Sequence, residues 1–172
     1  NILTLEWQNR GLNLWTIEAG TQALTAGTAT YTLPADTIDV IELTLRTGSG
    51  VNQTDTNVER ISVSTYSQQT NKNTQGRPTQ AFIQRLATST TATVWPVPDS
   101  VDTYTLAFFR LRGIESISEG VTGTADMPPR FVPCLAAGLA YYISMKKRPE
   151  LTQQLKLIYE DEIQRALVEN GQ

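Results

Sequence analysis

The sequence predicts an α+β fold, in which an α-helical bundle carries a β-rich insertion of antiparallel strands. The bundle consists of a short N-terminal helix and a C-terminal antiparallel helical hairpin. In the last third of the chain, apolar residues recur at three- and four-residue steps, which is the pattern of amphipathic helices. In the middle of the chain the period is two, and glycine and proline divide the segments, as in a series of short strands.

These patterns also divide the chain. We assign residues 1–13 and 128–172 to a helical part, and residues 14–127 to a β-rich part that ends in a small, polar linker over residues 113–127. The two parts are expected to form one compact domain, because 172 residues with 40% hydrophobic content suffice for a single core.

The N-terminal helix covers residues 2–10. Leu3 and Trp7 lie one turn apart on its apolar side, and Gly11 is a good helix terminator.

The strands are predicted from alternation of apolar and polar residues. Gly20 and Thr21 are interpreted as a turn between the first two strands, and Ser62 as the cap of a short helix that ends at Tyr66. The predicted strands comprise residues 15–19, 22–25, 28–33, 41–45, 58–61, 80–86, 92–95 and 104–111.

The first helix of the C-terminal hairpin begins at Pro128 and Pro129 and ends near Arg148, and Pro149 starts the second helix. Because the connection is short, the two helices are expected to be antiparallel neighbours. Their apolar stripes comprise Phe131, Leu135, Leu139 or Gly138, Tyr142 and Met145 in the first helix, and Leu151, Leu155, Ile158, Ile163, Ala166 and Leu167 in the second.

Four small residues interrupt the large side chains of the first hairpin helix. Ala136, Ala137, Gly138 and Ala140 are interpreted as one side of this helix that is almost without side chains. Another backbone can approach such a side closely. We therefore predict that this surface packs against another element or against a neighbouring subunit.

Composition excludes several classes of function. The formal net charge is −3 and the sequence pI is near 5.0, whereas a protein that binds nucleic acid through phosphate contacts needs a basic surface. The chain has no apolar run of about 18 residues and no basic segment followed by an apolar one, so we expect neither a membrane span nor a signal peptide. Because the chain begins with Asn1 rather than Met, we expect further residues upstream.

The sequence contains no evident catalytic constellation. Histidine is absent, which removes the commonest general base and metal ligand. Cys134 has no base partner, and there is no glycine-rich phosphate loop and no cysteine or histidine spacing typical of a metal site. We therefore predict that the protein is not an enzyme and has no cofactor or metal site.

Two other functions stay open. A glycoside hydrolase requires only two carboxylates, and a sugar-binding β module requires exposed aromatic residues on one sheet face. The candidate carboxylates are Glu6, Glu18 and Glu42, and the candidate aromatic residues are Trp15, Tyr31, Trp95 and Tyr104. For both sets, a surface or core role is the simpler interpretation.

Three long segments, residues 12–43, 77–99 and 128–166, carry a resemblance to a known family. Its most specific motifs are the Trp-Pro-x-Pro-Asp turn at Trp95–Asp99 and the Arg-Phe-x-Pro helix start at Arg130–Pro133. In these segments the chain resembles the head-to-tail adaptor proteins of tailed phages, which are head-completion or tail accessory proteins of short-tailed viruses and related prophages. The similarity covers most of the chain.

This resemblance implies a structural virion protein. Members of that family form a ring of twelve copies under the portal, which connects the capsid to the tail and lets the genome pass. The implied partners are the portal protein, a tail nozzle or tail hub protein and further copies of this chain, while DNA passes through without specific binding and no membrane is involved. The protein would be made in the host cytoplasm and act at the head-tail junction of the virion. A tail-associated cell-wall (peptidoglycan) hydrolase is the alternative in the same setting.

The resemblance also implies that the segment after about residue 160 docks to the portal. The predicted portal-docking residues are Asp161, Glu162, Arg165, Leu167 and Val168. The predicted subunit-packing residues are the four small residues of the first hairpin helix, Ala136, Ala137, Gly138 and Ala140.

Overall fold

The structure is a computed structural model, and it describes residues 2–11, 15–114 and 127–170, with side chains up to residue 168. The chain divides into two compact units. The helical unit contains residues 1–16 and 114–172, and the β unit contains residues 17–113. Each unit is described by itself below.

The β unit consists of short and medium strands with one short helix. Its strands are β1 (Ile17–Ala23), β2 (Thr30–Thr32), β3 (Thr37–Thr47), β4 (Thr54–Asn57), β5 (Glu59–Ile61), β6 (Gln75–Gly76), β7 (Gln80–Arg85), β8 (Thr90–Trp95), β9 (Val97–Pro98) and β10 (Tyr104–Arg112). Helix α2 (Val63–Gln68) follows β5. At its start the Thr65 N–H donates to the Ser62 hydroxyl, which confirms the predicted cap.

Two four-stranded sheets enclose the core of the β unit. One has the order β1-β10-β3-β4 and the other has the order β2-β8-β7-β5, and β6 and β9 form a separate two-stranded sheet. Because alternate residues of a strand face the same side, each sheet contributes one apolar face to the core. The buried core residues are Tyr31, Leu33, Val40, Leu43, Leu45, Val58, Ala81, Ile83, Ala92, Val94, Tyr104, Leu106 and Phe108.

Arg110 is the one buried charged residue of β10. Its guanidinium donates to Asp36 at 2.6 Å, to the Thr37 hydroxyl at 2.9 Å and to Glu18 at 2.7 Å. The hydrogen bond from Arg110 holds the pKa of Asp36 below its ordinary value. A guanidinium in this position requires such partners, because burying an unpaired charge is costly. The cluster therefore ties together β1, β10 and the chain at the start of β3.

The helical unit contains three described α-helices from the two ends of the chain. These are α1 (Ile2–Asn9), α3 (Val132–Lys147) and α4 (Thr152–Asn170). Gly11 has a φ of 84° just beyond α1, a conformation that suits glycine and ends the helix as predicted. Short 3-10 turns at Pro129–Phe131 and Pro149–Leu151 precede α3 and α4, in agreement with the predicted proline starts.

The predicted fold class, a helical bundle with a β-rich insertion, is wrong. The described residues form ten strands in three sheets and four α-helices, so the fold is mixed and mostly β-rich, with long helices toward the C-terminus. The prediction gave too much weight to the helices, because long periodic stripes are the strongest signal in a sequence. Strands of two or three residues, such as β2, β5, β6 and β9, leave almost no period to detect.

The turn predicted at Gly20 and Thr21 is also wrong, because β1 runs through both residues. Gly20 lies opposite Phe108 of β10, and a Cβ on Gly20 would lie 2.5 Å from Phe108 Cε2. The glycine is therefore explained by close packing within a strand and not by a turn.

The strands were predicted to be antiparallel, but β5 pairs with β7 and β6 pairs with β9 in parallel. Residues 115–126 of the predicted linker, and residue 14 at the start of the predicted β-rich part, lie outside the described residues.

The Arg110 cluster leads to a stability prediction. Arg110→Met removes the donor shared by Asp36, Thr37 and Glu18, and should lower the free energy of unfolding by roughly 1–3 kcal/mol. The matched control is Arg46→Met, which breaks the exposed ion pair with Asp55 and should leave the urea midpoint nearly unchanged. Equal shifts of the urea midpoint in the two variants would contradict the assigned role of Arg110.

Candidate functional site

The core of the helical unit is formed by all three of its described α-helices. Leu3 and Trp7 of α1 are buried, as their spacing predicted. From α4, Tyr159, Ile163 and Ala166 are buried at steps of four and three residues. α1 and α4 are thus packed through large side chains, with α3 completing the cluster.

The predicted apolar stripes are only partly correct. In α4, Ile163 and Ala166 are buried, but Leu151 and Ile158 are exposed and the fully buried Tyr159 was missed. The spacing of Tyr159, four residues before Ile163, was the signal that could have identified it.

The buried stripe of the first hairpin helix was predicted to contain either Leu139 or Gly138, and the structure shows that it contains Gly138. Phe131 and Gly138 are buried, whereas Leu139 and Met145 are exposed. Leu135 and Tyr142 are half-buried against the same cluster.

A polar network connects α1 to α3 and α4. The Glu6 carboxylate accepts hydrogen bonds from the Tyr142 hydroxyl at 2.7 Å and from the Tyr159 hydroxyl at 3.1 Å. The Trp7 indole N–H donates to the Tyr159 hydroxyl at 3.1 Å, and Arg10 lies 2.6 Å from Glu6. The hydroxyl of the fully buried Tyr159 is therefore satisfied, as a buried polar group requires.

Arg10 extends this network to the surface of α4. Its guanidinium donates to both carboxylate oxygens of Glu160, at 2.7 and 2.9 Å. This bidentate pair holds the pKa of Glu160 below its ordinary value. The orientation of α1 on the hairpin is thus determined by directional bonds as well as by apolar contact.

Gly138 allows α1 and α4 to approach α3 closely. A Cβ on Gly138 would lie 2.7 Å from Leu3 Cδ1 and 2.9 Å from Tyr159 Cε2. These distances are shorter than van der Waals contact, so any larger residue at this position would require Leu3 or Tyr159 to move. The close approach predicted at Gly138 is present, and its partners lie within the same chain.

The outward face of α3 is apolar. Val132, Ala136, Leu139 and Ile143 follow one another at four-, three- and four-residue steps, and we call them the α3 outer stripe. Val132, Leu139 and Ile143 are 52%, 47% and 58% exposed. At 3.6 residues per turn, the centre of the stripe is rotated by about 170° from Cys134 and by about 130° from Gly138, so the stripe lies on the opposite side of the helix from these buried residues. Sequence reasoning missed this stripe because apolar residues of a helix were assigned to its core.

The four predicted subunit-packing residues do not share one face of α3. Gly138 is buried against Leu3 and Tyr159, and Ala137 is half-buried with the core cluster. Ala136 is exposed and belongs to the α3 outer stripe, and Ala140 is half-buried beside it. At 3.6 residues per turn, consecutive positions cannot form a single side.

The predicted portal-docking residues lie in the second half of α4, from Asp161 to Val168, which we call the end of α4. Asp161 and Arg165 are exposed and form an ion pair at 2.6 Å across one turn of the helix, and Arg165 also reaches Glu162 at 3.3 Å. Val168 is 64% exposed, whereas Leu167 is half-buried against the core cluster. The end of α4 therefore presents a charged surface with one exposed apolar side chain.

The candidate carboxylates are engaged in ion pairs or widely spaced. Glu6 is bound within the α1 network and Glu18 is bound by Arg110. Glu42 lines a hollow that also contains Asp55, whose pKa is lowered by its hydrogen bonds with Arg46. Since Asp55 pairs with Arg46, four residues along β3 from Glu42, the two backbones are about 13 Å apart. Among the three candidates, Glu6 and Glu18 are both held in ion pairs, so no two of them are free to act as a hydrolytic pair.

The candidate aromatic residues do not form one exposed face. Tyr31 and Tyr104 are buried, and their hydroxyls donate to Thr28 and Asp99. The Trp95 indole N–H donates to the Asn71 carbonyl. Trp15 belongs to the helical unit, where its ring lies 4.6 Å from that of Phe131.

Cys134 lies in the core of the helical unit, where burial raises the pKa of its thiol to about 11. A thiol in this state is a poor nucleophile at neutral pH. The described residues contain no group of three or more acidic, cysteine or histidine side chains arranged to hold a metal ion. Among the same residues, no helix is both long and apolar enough to cross a bilayer.

The close contact at Gly138 predicts that a large side chain there destabilises the protein. Gly138→Leu should lower the free energy of unfolding by roughly 1–3 kcal/mol, because Leu3 or Tyr159 must move. Ala136→Leu, on the exposed side of the same helix, is the matched control and should leave the melting temperature nearly unchanged. A Gly138→Leu variant that melts at the normal temperature would refute the contact.

The tyrosine network predicts sensitivity to alkali. The hydrogen bond to Glu6 and burial raise the pKa of Tyr142 from 10.0 to about 12. Because the folded pKa is the higher one, the stabilisation is complete below pH 10 and is lost as the pH rises toward 12. The melting temperature should fall across this range, and Tyr142→Phe should melt lower at neutral pH and show a shallower alkaline fall. Parallel pH curves for the two proteins would contradict this role.

Comparisons with known proteins identify the family. A search of the curated proteins finds no match to this chain. The family model described as SU10 adaptor protein matches residues 4–171, which include nearly all of both units. This family consists of structural phage proteins, which agrees with the resemblance to head-to-tail adaptors and with the predicted absence of an enzyme role. The chain therefore belongs to the SU10 adaptor protein family and is a structural adaptor component of a phage virion.

Proposed function

We propose that copies of this chain form a ring that joins the portal of the capsid to the tail and surrounds part of the DNA channel. The ring would contain twelve copies, as the family resemblance implies, and would contact a tail nozzle or tail hub protein on its other side. The protein would be made in the host cytoplasm and incorporated at the head-tail junction. Membership in a phage adaptor family supports this class of assembly.

The observation that carries the proposal is the α3 outer stripe. A stripe of Val132, Leu139 and Ile143 facing water is unfavourable, and a helix that is apolar on both sides is typical of a helix that is buried in an assembly. Covering these half-exposed side chains would contribute on the order of 1 kcal/mol each. One such contact is weak, but a closed ring forms many of them at once.

The end of α4 is the proposed portal-docking surface. Asp161, Arg165 and Val168 are exposed there and combine charge with one apolar contact. Charged groups at the rim of an interface favour the correct orientation of the two proteins and raise the rate of their association. An apolar residue adds affinity. Glu162 and Leu167 are less exposed and would support this surface from within α4.

Passage of DNA without specific binding agrees with the charge of the chain. At a net charge of −3 the protein has no excess of lysine and arginine with which to neutralise phosphates. A channel wall of this kind would repel the genome weakly and would let it slide past.

Native mass spectrometry of mixtures with purified portal tests both surfaces. Val168→Asp adds a charge to the docking surface and should abolish binding to portal. Ile143→Glu interrupts the α3 outer stripe, so single copies should still bind portal but should not complete a ring. Gln68→Glu, which adds the same charge at an exposed position of α2 that belongs to neither surface, is the matched control and should assemble like the unmodified chain.

The outcomes separate the two parts of the proposal. Full rings with Ile143→Glu would show that the stripe is not the contact between copies. Full occupancy with Val168→Asp would show that the end of α4 does not dock. No binding of the unmodified chain to portal would refute the adaptor ring itself.

A further inference from the structure

Strand β1 forms an open edge of its sheet. It pairs with β10 along all seven residues, and among the described residues no strand pairs with its other side. Just beyond β1, the Leu24 N–H donates to the Tyr104 carbonyl. In an antiparallel pair, successive residues direct their backbone N–H and C=O groups alternately toward the partner strand and away from it. Since Leu24 is bonded to β10, the N–H and C=O groups of Ile17, Ala19 and Thr21 point away from β10, to the free side.

This edge lacks the usual protection. Natural edge strands are kept from pairing by short length, lysine, proline or a bulge. The other edge strands of the two large sheets, β4, β2 and β5, have only four, three and three residues. β1 has seven residues, its register with β10 is unbroken, and it contains neither lysine nor proline. Its one charged residue, Glu18, is bound by Arg110.

A hollow of about 260 Å³ lies beside the same edge, on the outer face of the sheet. Its floor includes three small residues, which are Ala19 and Thr21 of β1 and Ala107 of β10, the residue opposite Thr21. Phe109, which is 52% exposed, lines the hollow. The small side chains thus leave room for a large side chain from outside the chain.

The free edge of β1 and the hollow are formed by the same residues, so one bound strand could contact both. Ala19 and Thr21 present their backbone groups to the free side and their side chains to the hollow. In a strand added to this edge, the residues opposite Ala19 and Thr21 would have their side chains on the same face as the hollow. Backbone hydrogen bonds and a side-chain pocket would therefore be used together.

We propose that the β1 edge binds an extended segment of another protein, which joins the sheet as an additional strand and inserts a large aliphatic or aromatic side chain into the hollow. Main-chain hydrogen bonds supply affinity in this mode of recognition, and pockets for alternate side chains supply specificity. Glu42 also lines the hollow, whereas Asp55 there is neutralised by Arg46. The segment is therefore expected to carry lysine or arginine near its apolar residue. This surface lies in the β unit and is independent of the ring and docking surfaces proposed above.

The test uses the full chain and a displayed library of random peptides about nine residues long, enough to span β1. Enriched peptides should lack proline and share an aromatic or large aliphatic residue near a basic one. Their binding should weaken by about tenfold or more with Thr21→Pro, which removes an outward N–H without removing a bond to β10. It should weaken similarly with Ala19→Trp, which fills the hollow. Thr21→Val retains the outward N–H at the same position and is the matched comparison, so it should bind the peptides about tenfold or more tightly than Thr21→Pro does.

Hydrogen exchange supplies a readout that does not depend on the variants being folded. Addition of an enriched peptide to the unmodified protein should slow exchange at the Ala19 and Thr21 amides, while the Gly20 amide, already directed to β10, should change little. Failure to enrich any peptide, equal binding to Thr21→Pro, or unchanged exchange at Ala19 and Thr21 would overturn the proposal. If instead the protein alone forms oligomers that Thr21→Pro dissociates in sedimentation, the occupant is a second copy and the proposed partner is wrong.

Discussion

The contact of α1 with the C-terminal hairpin is the constraint on which the helical unit depends. It joins Trp7 to Tyr159, which are 152 positions apart in the sequence. A contact of such high sequence separation costs considerable chain entropy, so it must be favourable once formed. Fully buried rings, the hydrogen bonds of Glu6 and the glycine at position 138 together provide a close and directional fit.

This constraint also explains the unequal faces of α3. With α1 and α4 packed over Gly138, the inward side of α3 is occupied, and the large apolar residues on its other side stay about half exposed. α4 differs, since its outward side carries Asp161 and Arg165 in an exposed ion pair. One helix of the hairpin is thus suited to contact with another protein surface, and the other is suited to water or to a charged partner.

The β unit is stabilised in a different way. Its core is made by alternate residues of two sheets. Its one buried guanidinium, on Arg110, is satisfied by Glu18 of β1 and by Asp36 and Thr37 at the start of β3. The core is closed on the inner faces, while the β1 edge and the outer hollow remain open. A phage adaptor must contact several components at once, and separate surfaces on two units allow those contacts to be made independently.

The sequence by itself determined the local features of this protein. Three such features were predicted, and each depends on residues within a few positions of one another: the spacing of Leu3 and Trp7, the proline starts of α3 and α4, and the Ser62 cap. The tertiary structure decided the rest. Gly20 is part of a strand because Phe108, from a distant strand, occupies the space beside it. Leu139 and Ile143 face outward because Leu3 and Tyr159 already occupy the other side of α3. The β-rich balance of the fold and its parallel pairs likewise depend on partners far along the chain. Hydrophobic periodicity reports which side chains avoid water, but it does not report which surface will cover them, because that depends on contacts between residues that the sequence separates.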